Sequence, residues 1–168
     1  MSEVPDGVEM GVASRKIRPS ATLMITRDGN DGVEILLGRR ADSMPAFPGY
    51  WAFPGGGLSR VDKLAVEDLE QLTGPNAAAI AAIMREVVEE LGFACVNGKL
   101  VEVNSTARDL VVEDKANWLG QVKQGNIPCD TTGIRHISSR TTPPFGPVLF
   151  ENTFLHIHGG NIDEVPQA

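Results

Sequence analysis

Two cysteines in 168 residues, Cys95 and Cys129, are too few for a disulfide framework. Buried, reduced thiols are expected instead, and they favour the cytoplasm. Long apolar runs are missing too, which excludes a spanning helix. Basic residues are the minority, 15 Lys+Arg against 22 Asp+Glu. The resulting net charge of −7 excludes a general nucleic-acid binder, which needs a basic patch. Residues 1 to 11 are acidic and lack the apolar centre of a signal peptide. No internal repeat or low-complexity tract occurs. With 42% hydrophobic content, the chain fits a single globular domain over residues 1–168.

The most informative stretch is Arg85-Glu86-Val87-Val88-Glu89-Glu90-Leu91-Gly92. At 100° per residue, Ile80, Ile83, Met84, Val87, Val88 and Leu91 make one apolar stripe of a helix. Glu86, Glu89 and Glu90 crowd a narrow arc on the other side. A Glu-Glu pair on an amphipathic helix is ordinarily a solvated face. Three carboxylates so close repel one another, however, and like charges weaken a helix. A cation should sit among them, and a hard divalent metal with oxygen ligands is the natural one. For an acidic protein meeting phosphates, such a metal would also reverse the local field.

Taken in order, residues 1–17 read as a poorly ordered lead-in. Ser20 to Arg27 and Val33 to Arg39 read as paired strands joined by Asp28-Gly29-Asn30-Asp31-Gly32, a hairpin signal with more than two loop residues. Their apolar runs predict a sheet buried on both faces. Ala41 to Tyr50 is a loop, and Trp51-Ala52-Phe53 a short strand running into Gly55-Gly56-Gly57, which permits close backbone approach to a ligand. Asp62 to Leu72 has helical spacing, with Asp62 as a cap and Gly74-Pro75 as a stop. Ala77 begins the main helix, and Gly92 ends it. Phe93 to Val103 suits a strand interrupted at Asn97-Gly98, and Ala107 to Lys123 a second helix. Gly125 to Gly133 is a loop, Ile134 to Ser139 a strand, Thr141 to Pro147 a proline-rich connection and Val148 to His158 a strand. His156 and His158 share one strand face, which would suit zinc or copper, but no third ligand is near in sequence.

The glycine turn and the acidic helix together resemble the Nudix hydrolase family, whose signature is G-x5-E-x7-R-E-U-x-E-E-x-G-U with U bulky and apolar. Arg85, Glu86, Val87, Glu89, Glu90, Gly92 and Phe93 match its second half, and Gly56 its first glycine. From Gly56 to Arg85 the family needs fourteen steps and this chain takes 29, so residues 58–74 read as an insertion within the box. Aligned backwards from the arginine, the family's first glutamate falls on Ala77, so its role is absent or supplied by Glu67, Asp68 or Glu70 of the insertion. Leu36-Leu37-Gly38-Arg39-Arg40-Ala41, Gly49 and Phe53-Pro54-Gly55-Gly56 resemble the coenzyme A diphosphatase subgroup more loosely. Gly38 stands where that subgroup has threonine, and Pro45 where it has an arginine whose fork suits phosphate.

The resemblance implies an α/β fold, an α/β/α sandwich around a mixed sheet. Relative to that fold the chain ends early: a shorter core, completion by a second chain, or a longer parent protein would each account for it. An unpaired edge would then favour a homodimer. It implies hydrolysis of a nucleoside diphosphate linked to another moiety, of coenzyme A or ADP-sugar type, with Mg²⁺ or Mn²⁺ on Glu86, Glu89, Glu90 and the Gly56 carbonyl. Arg85 would hold the loop and a carboxylate in place. Arg39, Arg40, Gly55 and Gly56 would meet substrate, and Glu89 or Glu151 would serve as general base. The rival is a catalytically silent Nudix-like module that binds a nucleotide for regulation.

Overall fold

The computed structural model describes residues 16–44, 47–143 and 148–159. Most of the lead-in, residues 45–46 and residues 144–147 at the end of the proline-rich connection lie outside these residues. Strand β1 (Arg18–Gly29) is the spine of the sheet. It runs parallel to β9 (Phe150–His158), pairing Arg18 with Phe150 through Thr26 with His158. Its other edge is shared. Ser20, Ala21 and Thr22 pair antiparallel with Gly57, Gly56 and Gly55 of β5 (Gly55–Gly57), and Thr26 to Gly29 pair with β2 (Gly32–Ile35). Strand β8 (Arg135–Thr141) lies antiparallel on β9, giving the mixed order β2-β1-β9-β8.

Period two divides β1 and β9 into unlike faces. Ala21, Leu23, Ile25, Leu155 and Ile157 are buried in the core, whereas Ser20, Thr22, Met24, Asn152, Phe154 and His156 are half-buried. Burial on both faces, expected from the sequence, is therefore not found, and every residue of β2 is exposed. The hairpin expectation also changes. Gly29 pairs with Gly32, so the connection is the two residues Asn30 and Asp31, because both glycines belong to the strands. The stretch expected as one strand to Arg39 divides: β3 (Gly38–Arg39) leaves the sheet and pairs with β4 (Trp51–Ala52).

Against the buried face packs α2 (Ala77–Leu91), with α1 (Arg60–Asp68) and α3 (Ser105–Glu113) beside it. Alanines at 77, 79, 81 and 82 are buried, so the helix can approach closely, and Ile83, Met84, Val87 and Val88 fill the interface. Gly92 at φ 74° ends α2 by donating to the Val87 and Val88 carbonyls. A hairpin follows, β6 (Phe93–Val96) and β7 (Lys99–Glu102), turning at Asn97 and Gly98, both with positive φ.

The helix expected over residues 107–123 is two, α3 and α4 (Asn117–Lys123). Asp114 Oδ1 accepts from the Ala116 N–H at 2.9 Å, and Asn117 Nδ2 donates to the Leu110 carbonyl at 2.8 Å. Side chains thus take over backbone partners, and the helix breaks. Trp118 of α4 is fully buried in the core.

Candidate active site

Arg85 lies on the buried side of α2 at 1% exposure, which a guanidinium tolerates only when its donors are used. They are. Nε donates to Asp62 Oδ1 at 2.8 Å and Nη2 to Asp62 Oδ2 at 3.0 Å, a two-pronged clamp. Nη1 donates to Glu86 Oε1 and Glu89 Oε1, each at 2.9 Å, and Nη2 reaches the Gly57 carbonyl at 3.4 Å. Burial by itself would lower the arginine's pKa. The Asp62 hydrogen bond and charge outweigh it and raise the pKa above its usual value.

Asp62 is itself fully buried. Its second oxygen also accepts from the Ser59 backbone N–H at 2.7 Å and from Ser59 Oγ at 3.0 Å, so one carboxylate caps α1 and anchors Arg85. This corrects the expectation placed on the insertion. Ala77 is a buried helix residue with no such role. Neither Glu67 nor Glu70 meets Arg85, and Asp68 pairs with Lys123 at 2.6 Å. Counting forward from Gly56, the family's acidic position is six residues on, at Asp62. The extra residues therefore fall between Asp62 and Arg85, which are 23 apart in sequence. That forward count was available in the sequence.

Glu90 joins from the other side of the turn, where its Oε2 accepts from the Gly55 N–H at 3.3 Å. The side chain keeps an exposed flank. Crowding of its carboxylate by protein, then the charges of Glu86 and Glu89, still push its pKa up to about 7 against the pull of Gly55 and Arg40. Burial also raises Glu86, with Arg85 opposing and Glu89 assisting. The glycines are required by contact. A Cβ on Gly56 would strike the Glu86 carboxylate, with its Cδ at 2.8 Å. One on Gly55, at φ +153°, would strike the Ala21 carbonyl and Thr22 Cα at 3.0 Å.

The donors gathered here are oxygens, the kind hard divalent ions take. Among the described residues, no three His, Cys, Asp or Glu side chains are arranged as they stand to hold an ion. Glu86, Glu89 and Glu90 each commit one oxygen to Arg85 or Gly55, and a carboxylate has two. In kind and number the set fits a hard cation.

The other wall of the glycine strand borders a cavity of about 410 Å³ lined by Arg40, Phe53, Asn152 and Phe154 among others. Arg40, Gly55 and Gly56 line it, whereas Arg39 is exposed and pairs with Asp42 at 3.2 Å. Glu151 is an exposed residue of β9. Arg108, which the sequence did not single out, donates from Nη2 to the Glu89 and Glu90 carbonyls at 3.2 and 3.3 Å. It thereby secures the end of α2 that carries the acids.

A family model described as NUDIX domain matches residues 16–124. The crystal structure of a NUDIX hydrolase from Alicyclobacillus acidocaldarius superposes with TM-score 0.79 at 24% identity, over 93% of this chain and 76% of that one. The MutT protein from Methanosarcina mazei Go1 gives TM-score 0.49 at 15% identity, over 93% and 72%. No curated protein matches the sequence. The first superposition shows the α/β fold, including strands β8 and β9, which lie beyond the matched family region.

Proposed function

The chain belongs to the NUDIX domain family and is a Nudix-type pyrophosphohydrolase, and on that premise we propose the reaction it runs. The substrate is a nucleoside diphosphate linked to another moiety, of coenzyme A or ADP-sugar type, cleaved at its diphosphate bond. The observation that carries this reading is the buried Arg85, which binds Asp62, Glu86 and Glu89 at once while Glu90 is hooked to the glycine turn.

Mg²⁺ or Mn²⁺ would be held by Glu86, Glu89, Glu90 and the Gly56 carbonyl, and when bound would neutralise phosphate oxygens and acidify water. The chain's own part is positioning. Arg85 fixes one oxygen of Glu86 and of Glu89, so their second oxygens have a set direction. The Gly55 N–H does the same for Glu90. Near neutrality Glu90 holds a proton part of the time and must release it when positive charge arrives. Arg40, whose charge Glu90 feels, stands where the glycine strand meets the cavity and suits a phosphate.

Ala77 in the place of a glutamate favours the silent module, and the Asp62 carboxylate clamped to Arg85 argues against it. For compartment and assembly we keep the cytoplasm, on two unpaired thiols, and a homodimer through an outer strand. Phosphate release from ADP-ribose, dinucleoside polyphosphates, NADH, coenzyme A and nucleoside triphosphates with Mg²⁺ or Mn²⁺ tests the reading. Replacing Glu89 and Glu90 together by Gln should lower turnover by about 10²–10³-fold or more. Turnover surviving that pair rules the site out, and tight nucleotide binding without turnover restores the silent module.

A further inference from the structure

Glu89 and Glu90 occupy the last turn of α2, an unfavourable place for acids. The C-terminal end of a helix carries partial negative charge, and its last four carbonyls lack helical partners. No basic residue of α2 itself stands in that turn. Gly92 closes the helix with its N–H on the Val87 and Val88 carbonyls, which leaves those of Glu89 and Glu90. Arg108 of α3 takes both through Nη2, at 3.2 and 3.3 Å.

The surrounding backbone is arranged to bring that arm there. The Val103 N–H donates to the Gly92 carbonyl at 2.9 Å, and Asn104 Oδ1 caps α3 by accepting from the Ala107 N–H at 3.2 Å. These bonds fix where α3 begins relative to the end of α2. A Cβ on Gly92 would lie 3.2 Å from Arg108 Cδ and 3.3 Å from its Cζ and Nε. The glycine that ends α2 therefore also leaves room for the guanidinium.

We propose that Arg108 is a positioning residue for the metal-binding acids: it anchors the main chain of Glu89 and Glu90 so that their carboxylates meet a divalent cation. The proposal rests on the hydrolase reading for the metal and adds a residue from outside the acidic helix. Glu89 is held at both ends, its carboxylate by Arg85 and its carbonyl by Arg108. Glu90 is held likewise by the Gly55 N–H and Arg108. A carboxylate tethered only at its tip still shifts with a fraying helix end, and the second anchor removes that freedom.

An ordinary helix cap is the competing account, since arginine commonly bonds the last carbonyls of a helix. Two observations weigh against it. Arg108 stands near the positive end of its own helix, where a cation gains nothing. Its Nε is buried and has no partner among the described residues, a cost that a lysine or water cap avoids.

Calorimetric titration of the whole chain with Mn²⁺, without substrate, tests the proposal apart from turnover. Arg108→Met keeps an apolar stem and removes the donors. It should weaken Mn²⁺ binding about tenfold, as loss of a residue behind a metal ligand typically does. Arg108→Lys restores a donor and should recover most of that loss. The sign of the effect is diagnostic. A positive charge merely near the site repels a cation, so its removal would tighten binding, and removing a plain cap would lower the melting temperature without changing affinity. Either result overturns the proposal. If Arg108→Met fails to fold, Arg108→Gln takes its place with the same expected loss. A native chain that takes up no Mn²⁺ removes the hydrolase reading and this proposal together, whereas uptake indifferent to residue 108 removes the proposal alone.

Discussion

Two groups of titratable side chains stood out in the sequence, and the fold treats them differently. Around Arg85, three carboxylates meet a guanidinium that is 1% exposed, and the nearest backbone is glycine. Around Thr26, two imidazoles meet a neutral hydroxyl: His156 Nε2 lies 2.8 Å and His158 Nδ1 3.1 Å from Oγ1, with Asp28 3.4 Å from His158. The first group is closed to water at Arg85 and Asp62, only partly so at Glu86 and Glu89, and needs an internal counter-charge. The second sits on the half-open sheet face, where one hydroxyl organises it. Proximity of ionisable residues alone does not make a chemical site. Burial that forces charges to answer one another is the added ingredient.

The sharpest way to break the contrast is to remove the counter-charge. Arg85→Met leaves Asp62 buried without its partner, and breaking a buried pair costs about 3–5 kcal/mol. Urea unfolding should show that loss, and a loss below about 1 kcal/mol would mean the cluster is not held by charge. The glycines separate stability from chemistry. Gly55→Ala forces a side chain against β1 at a positive φ and should cost about 1–3 kcal/mol. Gly56→Ala meets the end of the Glu86 side chain rather than backbone, although Arg85 holds the oxygen it strikes. It should lower the melting temperature less than Gly55→Ala while turnover falls by about 10²-fold. Equal effects of the two glycines on stability would contradict this division.

A smaller effect belongs to Glu90. Its folded pKa, about 7, is above the unfolded value of 4.5. Between these values the folded chain binds a proton that the unfolded chain has released, so stability falls as pH rises through the window and levels off above it. Without added metal, the native chain should lose melting temperature from about pH 4.5 to 7, and Glu90→Gln should lose less. The same slope in both proteins would remove Glu90 as its source.

How much of this was legible follows from where the signal lies. The helix through Arg85 and its stop at Gly92 were readable because apolar period, alanine content and a terminal glycine agree. The acidic trio was readable because helical spacing is a rigid rule. Counting back from Arg85, Asp62 shows only as a cap, because that count assumes that no residues intervene after the acid, and here the insertion does; the forward count from Gly56 reaches it. Its partner lies 23 residues away, a separation that local pattern does not encode. Arg108 left no signal, because it binds carbonyls of another helix, and carbonyls are the same in every residue. The two-residue turn at Asn30-Asp31 was missed because its flanking glycines read as loop although they are paired strand residues.

The mildest prediction concerns the histidines and completes the comparison. Thr26 is 8% exposed, so its hydroxyl needs a partner, and it has two. Removing either imidazole leaves the other in place, so His156→Ala or His158→Ala should each cost at most about 0.5 kcal/mol. Removing both orphans the hydroxyl, which costs about 1–3 kcal/mol. The double variant should therefore lose more than the two single losses added together, a coupling that unfolding of all four proteins in one cycle measures. Strict additivity would mean that water satisfies Thr26 as well as either ring does. The sheet face would then be more open than the Arg85 cluster by a wider margin than its geometry shows.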